Sequence, residues 1–341
     1  MGGAVRVSVL RAAGDLEVEE RPDPVPSPHE VLVRVGSVGV CGSDIHYFEH
    51  GRIGRFTVDA PLVLGHEASG EVVGLGPAVS RLTLGQRVSI EPGVPDFTCS
   101  QCLAGRYNLC TGMRFFATPP IDGAFAELVT IHEQFAHPVP GQLSDDAAAL
   151  LEPLSVGLWA CRKAEVTAGS RVLITGAGPV GLVTAQCALA LGASEVTVTD
   201  LNRYRLQLAQ DLGATATIDS GTTSLADSGV EPDILLECSG RAEAVADALP
   251  TMARAGRVVL VGMGTEEMPL PISRIQEYEL TVTGTFRYAH TWPAAISLAS
   301  TGRVKMDRLV TGHYDLDHVR EALTANRNDA RAVKPIVRPG A

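Results

Sequence analysis

The chain has 341 residues, 45% of them hydrophobic and 20% charged, which suits a soluble globular protein of two domains. Its formal net charge of −11 argues against non-specific binding to nucleic acid or to an anionic membrane, because both need a positive field. No apolar run reaches the roughly 18 residues of a membrane span, and Met1-Gly2-Gly3-Ala4-Val5-Arg6-Val7 has no signal-peptide pattern, so the expected setting is the cytoplasm.

Aromatic residues make up only 5%, so Val, Leu, Ala and Ile must build most of the core. The first 150 residues are rich in Gly, Pro and β-branched runs such as Val31-Leu32-Val33-Arg34-Val35 and Gly70-Glu71-Val72-Val73-Gly74. Short strands broken by turn residues predict an antiparallel, barrel-like β domain. Arg21-Pro22-Asp23-Pro24-Val25-Pro26-Ser27-Pro28 cannot be regular helix, since its four prolines lack amide donors; it reads as an extended surface connection.

Two clusters in this region carry metal-ligand chemistry. The first is Cys41-Gly42-Ser43-Asp44-Ile45-His46 followed by Gly65-His66-Glu67; thiolate, imidazole and carboxylate suit zinc in an open catalytic site. The second is Asp96-Phe97-Thr98-Cys99-Ser100-Gln101-Cys102 with Cys110. Seven cysteines, an odd number, do not make a disulfide framework without a signal peptide. Cys161, Cys187 and Cys238 lie in apolar segments and read as small buried hydrophobes.

The texture changes near 150. Ala147 to Ala164 looks helical and apolar. Strand-like runs then alternate with helical stretches: Arg171–Thr175, Pro179–Leu191, Glu195–Thr199, Asp233–Cys238 and Arg257–Val261. Apolar strands separated by helices predict a parallel sheet. Gly176-Ala177-Gly178-Pro179-Val180-Gly181 fits G-x-G-x-x-G between a strand and a helix. Gly176 permits the tight turn, Gly178 lets the backbone approach a pyrophosphate, and Gly181 lets helix and strand pack closely; the helix N-terminus then faces the phosphates. Asp200 ends the next strand, where a carboxylate accepts bonds from an adenosine ribose and repels the extra phosphate of NADP. NAD is therefore expected, although Arg203 and Arg205 stand near enough to favour that phosphate. The last fifty residues are mixed again and are expected to return to the first domain.

In these motifs the chain resembles the zinc-containing medium-chain dehydrogenases over essentially its whole length. Gly65-His66-Glu67-Ala68-Ser69-Gly70-Glu71-Val72 resembles their zinc signature, and Cys41-Gly42-Ser43-Asp44 their upstream ligand motif. Cys41 to Gly54, Arg106 to Cys110, Arg114 to Pro120, Leu151 to Val156, and Thr285-Phe286-Arg287-Tyr288 resemble the sorbitol and xylitol dehydrogenases in particular. The resemblance implies an α/β protein: a GroES-like β-rich catalytic domain at 1–150 and 289–341, and a Rossmann doubly wound NAD-binding domain at 151–288.

It also implies roles. The catalytic zinc would take Cys41, His66 and a carboxylate, either Glu67 or Glu152, the other acting through water. Asp96, Cys99, Cys102 and Cys110 sit where the family's structural zinc lobe has four cysteines; an Asp-Cys₃ site and a reduced, metal-free loop both remain open. Ser43 is the first candidate for the proton relay, a water held by Glu152 the second, and His46 a weaker third. Tyr47, Phe56, Phe115, Thr118, Glu152, Arg287 and Tyr288 would contact substrate. Gly176, Gly178, Val180, Gly181, Asp200, Arg205, Gly262, Met263, Gly264, Phe286 and Arg287 would contact NAD. The implied activity is NAD-linked oxidation of a secondary hydroxyl of a polyol by a homotetramer. The alternatives are a zinc dehydrogenase of an aldose, threonine or a simple alcohol, and a non-catalytic NAD-binding protein.

Overall fold

The computed structural model describes residues 3–264 and 267–340. The chain folds as two compact units, Met1–Glu152 with Met306–Ala341, and Pro153–Lys305.

In the first unit, Ala4–Ala12 and Asp15–Pro22 form an antiparallel pair. The central strand is Glu30–Gly39, which runs antiparallel to Glu67–Leu75, to Leu128–His132 and, at Val38 and Gly39, to Lys334–Val337. Its alternation explains its place: Val31, Val33 and Val35 are buried while Arg34 is exposed, the two-residue period of a strand with one face on a core. That core also takes Val9, Leu10, Leu64, Phe125 and Ile131. The expected antiparallel β domain is therefore present, with one exception: Val310–Tyr314 and Lys334–Val337 pair in parallel, joined by a crossover containing the helix Val319–Asn328, as a parallel connection requires.

The second unit carries a parallel sheet of six strands among the described residues. From one edge to the other they are Ala216–Asp219, Glu195–Asp200, Arg171–Thr175, Ile234–Glu237, Arg257–Leu260 and Thr281–Gly284. Leu173, Leu235 and Val258 are wholly buried at its centre. The helix Pro179–Ala190 buries a continuous run from Gly181 to Ala188. No helix among the described residues is long and apolar enough to cross a membrane.

The first boundary falls within two residues of the expected one, but the return to the first unit comes at Met306 rather than at 289. Three contacts keep the intervening segment in the second unit. Arg162 Nη1 donates to His290 O at 2.9 Å, the Tyr288 ring packs on Trp292 at 5.2 Å, and Lys305 N donates to Gln186 Oε1 at 2.7 Å.

The returning segment is fastened to the first unit by Asp146. Its carboxylate accepts Ser37 Oγ at 2.6 Å and Arg338 Nη2 at 3.0 Å, and pairs with His313 Nε2 at 2.7 Å. Burial pushes this carboxyl upward, but the bonds from Ser37, His313 and Arg338 outweigh it and hold it below the usual aspartate value. Replacing Asp146 by Ala should lower stability by about 2 kcal/mol in urea unfolding at neutral pH, the scale of hydrogen bonds to a charged group. Because the folded value lies below the unfolded one, the contribution is complete above about pH 4 and is lost as pH falls through the folded value. The gap between wild type and Asp146→Ala should therefore narrow in acid; a gap that stays constant down to about pH 2 would contradict this.

Candidate metal centre and dinucleotide site

Cys41 is the N-terminal cap residue of the helix Gly42–His50, and His66 immediately precedes the strand Glu67–Leu75. Asp44, wholly buried, fastens these two starts together. Its Oδ2 accepts the Cys41 amide at 3.0 Å and its Oδ1 the Gly65 amide at 2.9 Å. One donor atom each from Cys41, His66 and Glu67 then lie within 4.8 Å of one another. Cys41 is partly exposed while His66 and Glu67 are buried, so this donor set fits a zinc ion with one open side. His66 Nδ1 faces Asp44 Oδ1 at 3.6 Å. Burial works against the imidazolium, but Asp44 and Cys41 outweigh it and hold His66 well above its ordinary value.

Glu67 has a partner that the sequence did not reveal. Lys334 Nζ donates to both Glu67 oxygens at 2.8 Å and to Val40 O at 2.8 Å; both side chains are almost fully buried, at 3% and 1% exposure. Burial pushes the ammonium down, yet Glu67, then Cys41 and more weakly Glu152, raise it above its usual value. The carboxylate lies directly over Gly39, where a Cβ would stand 2.1 Å from Glu67 Oε2. Glu152 is buried and close enough to act on Lys334, but it is not one of the three clustered donors.

The remaining expected residues separate by unit. Ser43 is half-buried in the first turn beside Cys41, whereas His46 is exposed and lies against His50 at 5.7 Å. Tyr47 is buried, and the Phe115 ring stands 5.7 Å from His66. Phe56 packs on the first unit's core, under the Arg55 guanidinium at 5.1 Å. Thr118 bridges to Ile121. Phe286, Arg287 and Tyr288 belong to the second unit, with Arg287 stacked over Phe286 at 4.8 Å.

The second cluster is also assembled. Donor atoms of Asp96, Cys99, Cys102 and Cys110 lie within 4.8 Å of one another. Asp96 Oδ1 accepts the amides of Thr98 at 2.8 Å and Cys99 at 2.9 Å, which, the Cys99 amide foremost, hold its carboxyl down at about 2. An ionised carboxylate among three thiols fits a cation such as zinc.

In the second unit the glycine turn follows the strand Arg171–Thr175 and opens the helix Pro179–Ala190, with Gly178 as its cap. A Cβ on Gly181 would stand 1.8 Å from Gly176 O, so helix and turn approach as closely as expected. Gly178 faces open space. Asp200 Oδ2 accepts the Ala177 amide at 2.6 Å and Oδ1 the Asn202 amide at 2.8 Å, which fixes the carboxylate against the turn. Arg203 is paired with Asp219 at 3.0 Å.

Comparison with known proteins finds matches in both units. Residues 27–141 match the alcohol dehydrogenase GroES-like domain, and residues 179–301 match the zinc-binding dehydrogenase family. Sorbitol dehydrogenase of Gallus gallus is 44% identical over 94% of this chain and 92% of its own length. The chain belongs to the zinc-binding dehydrogenases. Within this family it falls in the sorbitol dehydrogenase branch, as the Homo sapiens enzyme, 42% identical over 92% of this chain and 90% of its own, also indicates. The structure of L-idonate 5-dehydrogenase from Escherichia coli has the same fold, with a TM-score of 0.93 and 29% identity over 99% of both chains.

Two side chains of this zinc-binding dehydrogenase's centre escaped sequence reasoning as actors. Asp44 lies in the motif Cys41-Gly42-Ser43-Asp44, and its spacing of three from a helix start is a capping signal. Lys334 lies 267 residues from Glu67 and carried no local signal. Replacing Lys334 by Met should cost about 3–5 kcal/mol, because it strands a buried carboxylate. Adding Glu67→Gln should recover a large part of that loss. Melting of the metal-free single and double variants measures the coupling; independent, additive losses would show that the pair does not act as a unit.

Proposed function

We propose that this chain is a zinc-dependent, NAD-linked polyol dehydrogenase that oxidises a secondary hydroxyl of a sugar alcohol of the sorbitol, xylitol or L-iditol type to the ketose. The observation that carries the reading is the convergence of Cys41, His66 and Glu67 within 4.8 Å in a chain 44% identical to a sorbitol dehydrogenase. We assign Cys41, His66 and Glu67 as the zinc-holding residues, with Glu152 acting through a water. When bound, the zinc supplies a Lewis acid that favours loss of the substrate hydroxyl proton, and NAD supplies the hydride acceptor.

The chain's own residues do the rest. Ser43, half-buried beside Cys41, is placed to take that proton and pass it outward; the exposed His46 is a later stop on the route. Phe115 walls the site at His66, and an apolar wall beside polar donors suits a polyol. Tyr47, Phe56, Thr118, Arg287 and Tyr288 remain the proposed further substrate contacts. Gly176, Gly178, Val180, Gly181, Asp200, Arg205, Gly262, Met263, Gly264, Phe286 and Arg287 are proposed to line the NAD site. NAD is favoured over NADP because the fixed Asp200 carboxylate repels a ribose phosphate, while Arg203 is committed to Asp219. Asp96, Cys99, Cys102 and Cys110 are assigned to a second, structural zinc. The assembly expected for such an enzyme is a cytoplasmic homotetramer, which light scattering would read directly.

The deciding experiment is an NADH-formation screen of the zinc-loaded protein over sorbitol, xylitol, galactitol, L-iditol, arabinitol, threonine, glucose and a simple secondary alcohol. Polyols should give the highest kcat/KM; silence with every polyol would remove the substrate assignment. Cys41→Ser should lose the catalytic zinc and at least 100-fold in activity. Full zinc content with full activity would overturn the ligand assignment. Metal analysis should find two zinc ions per chain, falling to one in Cys102→Ser while most activity persists; one ion in the wild type would leave the lobe metal-free. Asp200→Ser should narrow a preference for NAD over NADP of at least tenfold, read as kcat/KM with each coenzyme.

A further inference from the structure

The strand order of the parallel sheet reverses between Arg171–Thr175 and Ile234–Glu237. Glu195–Asp200 and Ala216–Asp219 lie on one side of that line, and Arg257–Leu260 and Thr281–Gly284 on the other. In open α/β sheets the crevice at the carboxyl ends of two such strands is where ligands bind. The strand ends that meet there are Thr175 and Glu237, which are register partners. Glu237 is wholly buried, and no cation pairs with it among the described residues.

Its hydrogen bonds all run one way. Glu237 Oε1 accepts from Ser239 N at 2.8 Å, Ser239 Oγ at 2.5 Å, Gly240 N at 2.9 Å and Thr175 Oγ1 at 3.3 Å. Its Oε2 is buried without a partner among the described residues. A buried carboxylate is costly unless hydrogen-bonded, so these four donors account for its presence, and they belong to the strand end and the loop at the crevice. That loop touches two other backbones. A Cβ on Gly176 would come within 3.0 Å of Ser239, and one on Gly262 or Gly264 would stand 2.2 Å or 1.8 Å from Gly240. Gly240 itself has φ +67°, a left-handed conformation that glycine adopts without strain. One carboxylate thus holds a loop wedged between the glycine turn at 176 and the segment 262–264.

We infer that Glu237 is a positioning residue for the dinucleotide: it fixes the Ser239-Gly240 loop so that the two glycine segments flanking it keep the spacing the coenzyme needs. This rests on the NAD reading of the second unit. The role is hydrogen-bond acceptance at Oε1, so an amide should serve nearly as well as a carboxylate and an alkyl group should not.

The test is NADH binding to the zinc-loaded protein, followed by fluorescence titration, with zinc content and melting temperature measured on every variant. Glu237→Leu should weaken NADH at least tenfold and raise the KM for NAD alike, while leaving zinc content and the KM for the polyol at saturating NAD within about twofold. Glu237→Gln should bind within about threefold of wild type. Should Glu237→Leu fail to fold, Ser239→Ala removes one of the four donors and should still weaken NADH about threefold. NADH affinity within twofold of wild type in Glu237→Leu, or in Ser239→Ala where that variant stands in, would overturn the inference, as would a Glu237→Gln variant as weak as the leucine one. A wild-type protein that binds no NADH would remove the dinucleotide reading and this inference together, whereas tight wild-type binding with an unaffected leucine variant would remove this inference alone.

Discussion

The amides of Cys41 and Gly65 converge on opposite oxygens of Asp44, and the metal centre depends on that convergence. One amide begins a helix and the other precedes a strand, so neither has a partner within its own regular element. A buried carboxylate satisfies both at once, with the added strength of a charged acceptor. The thiol at Cys41 and the imidazole at His66 are carried by the residues so fixed. Spacing in sequence, 25 residues apart, would not by itself bring them together. The same carboxylate faces His66, so the group that sets the geometry also sets the electrostatics of a donor.

Charge balance then explains why the end of the chain returns to the first unit. Glu67 is only 1% exposed, and a carboxylate so buried is costly without a partner. Lys334, on the strand Lys334–Val337 beside Val38 and Gly39, supplies the opposite charge at 2.8 Å. The pairing of that strand with Glu30–Gly39 is therefore both a sheet contact and the placement of a counter-charge beside the buried Glu67 carboxylate. Asp146, holding Arg338 and His313, also fastens the same returning segment. The C-terminal strand thus serves the first unit electrostatically as well as through its pairing.

What the sequence disclosed and what it hid follow from the range of the interactions involved. The glycine turn at 176–181 and the strand ending at Asp200 are local patterns, and the fold contains both. The choice between Glu67 and Glu152 stayed open because adjacency to His66 says nothing of distance in space; the fold places Glu67 in the three-donor group and Glu152 within reach of Lys334. The late return at Met306 was hidden because the helix Trp292–Ser300 has no composition that marks its unit. The residues on either side of that helix hold it there through bonds to positions more than a hundred residues away, His290 to Arg162 and Lys305 to Gln186. Glu237 gave no signal because a lone acidic residue ending an apolar strand resembles any strand terminus.

A common construction links four loops of the two units. Asp44 takes the amides of Cys41 and Gly65, Asp96 those of Thr98 and Cys99, Asp200 those of Ala177 and Asn202, and Glu237 those of Ser239 and Gly240. Loops that must present side chains or backbone to a ligand cannot also spend their amides on a sheet ladder. A carboxylate accepts several amides from a single point and imposes no strand geometry on the loop that supplies them. At Asp44, Asp200 and Glu237 the cost is a buried or half-buried negative charge, which the donors nearby offset, whereas Asp96 is exposed. Such loops hold one shape as long as every donor is present, so a site built this way is rigid before its ligand arrives. That is the condition under which donor atoms from distant parts of a chain can be held to the tolerances that metal binding and hydride transfer demand.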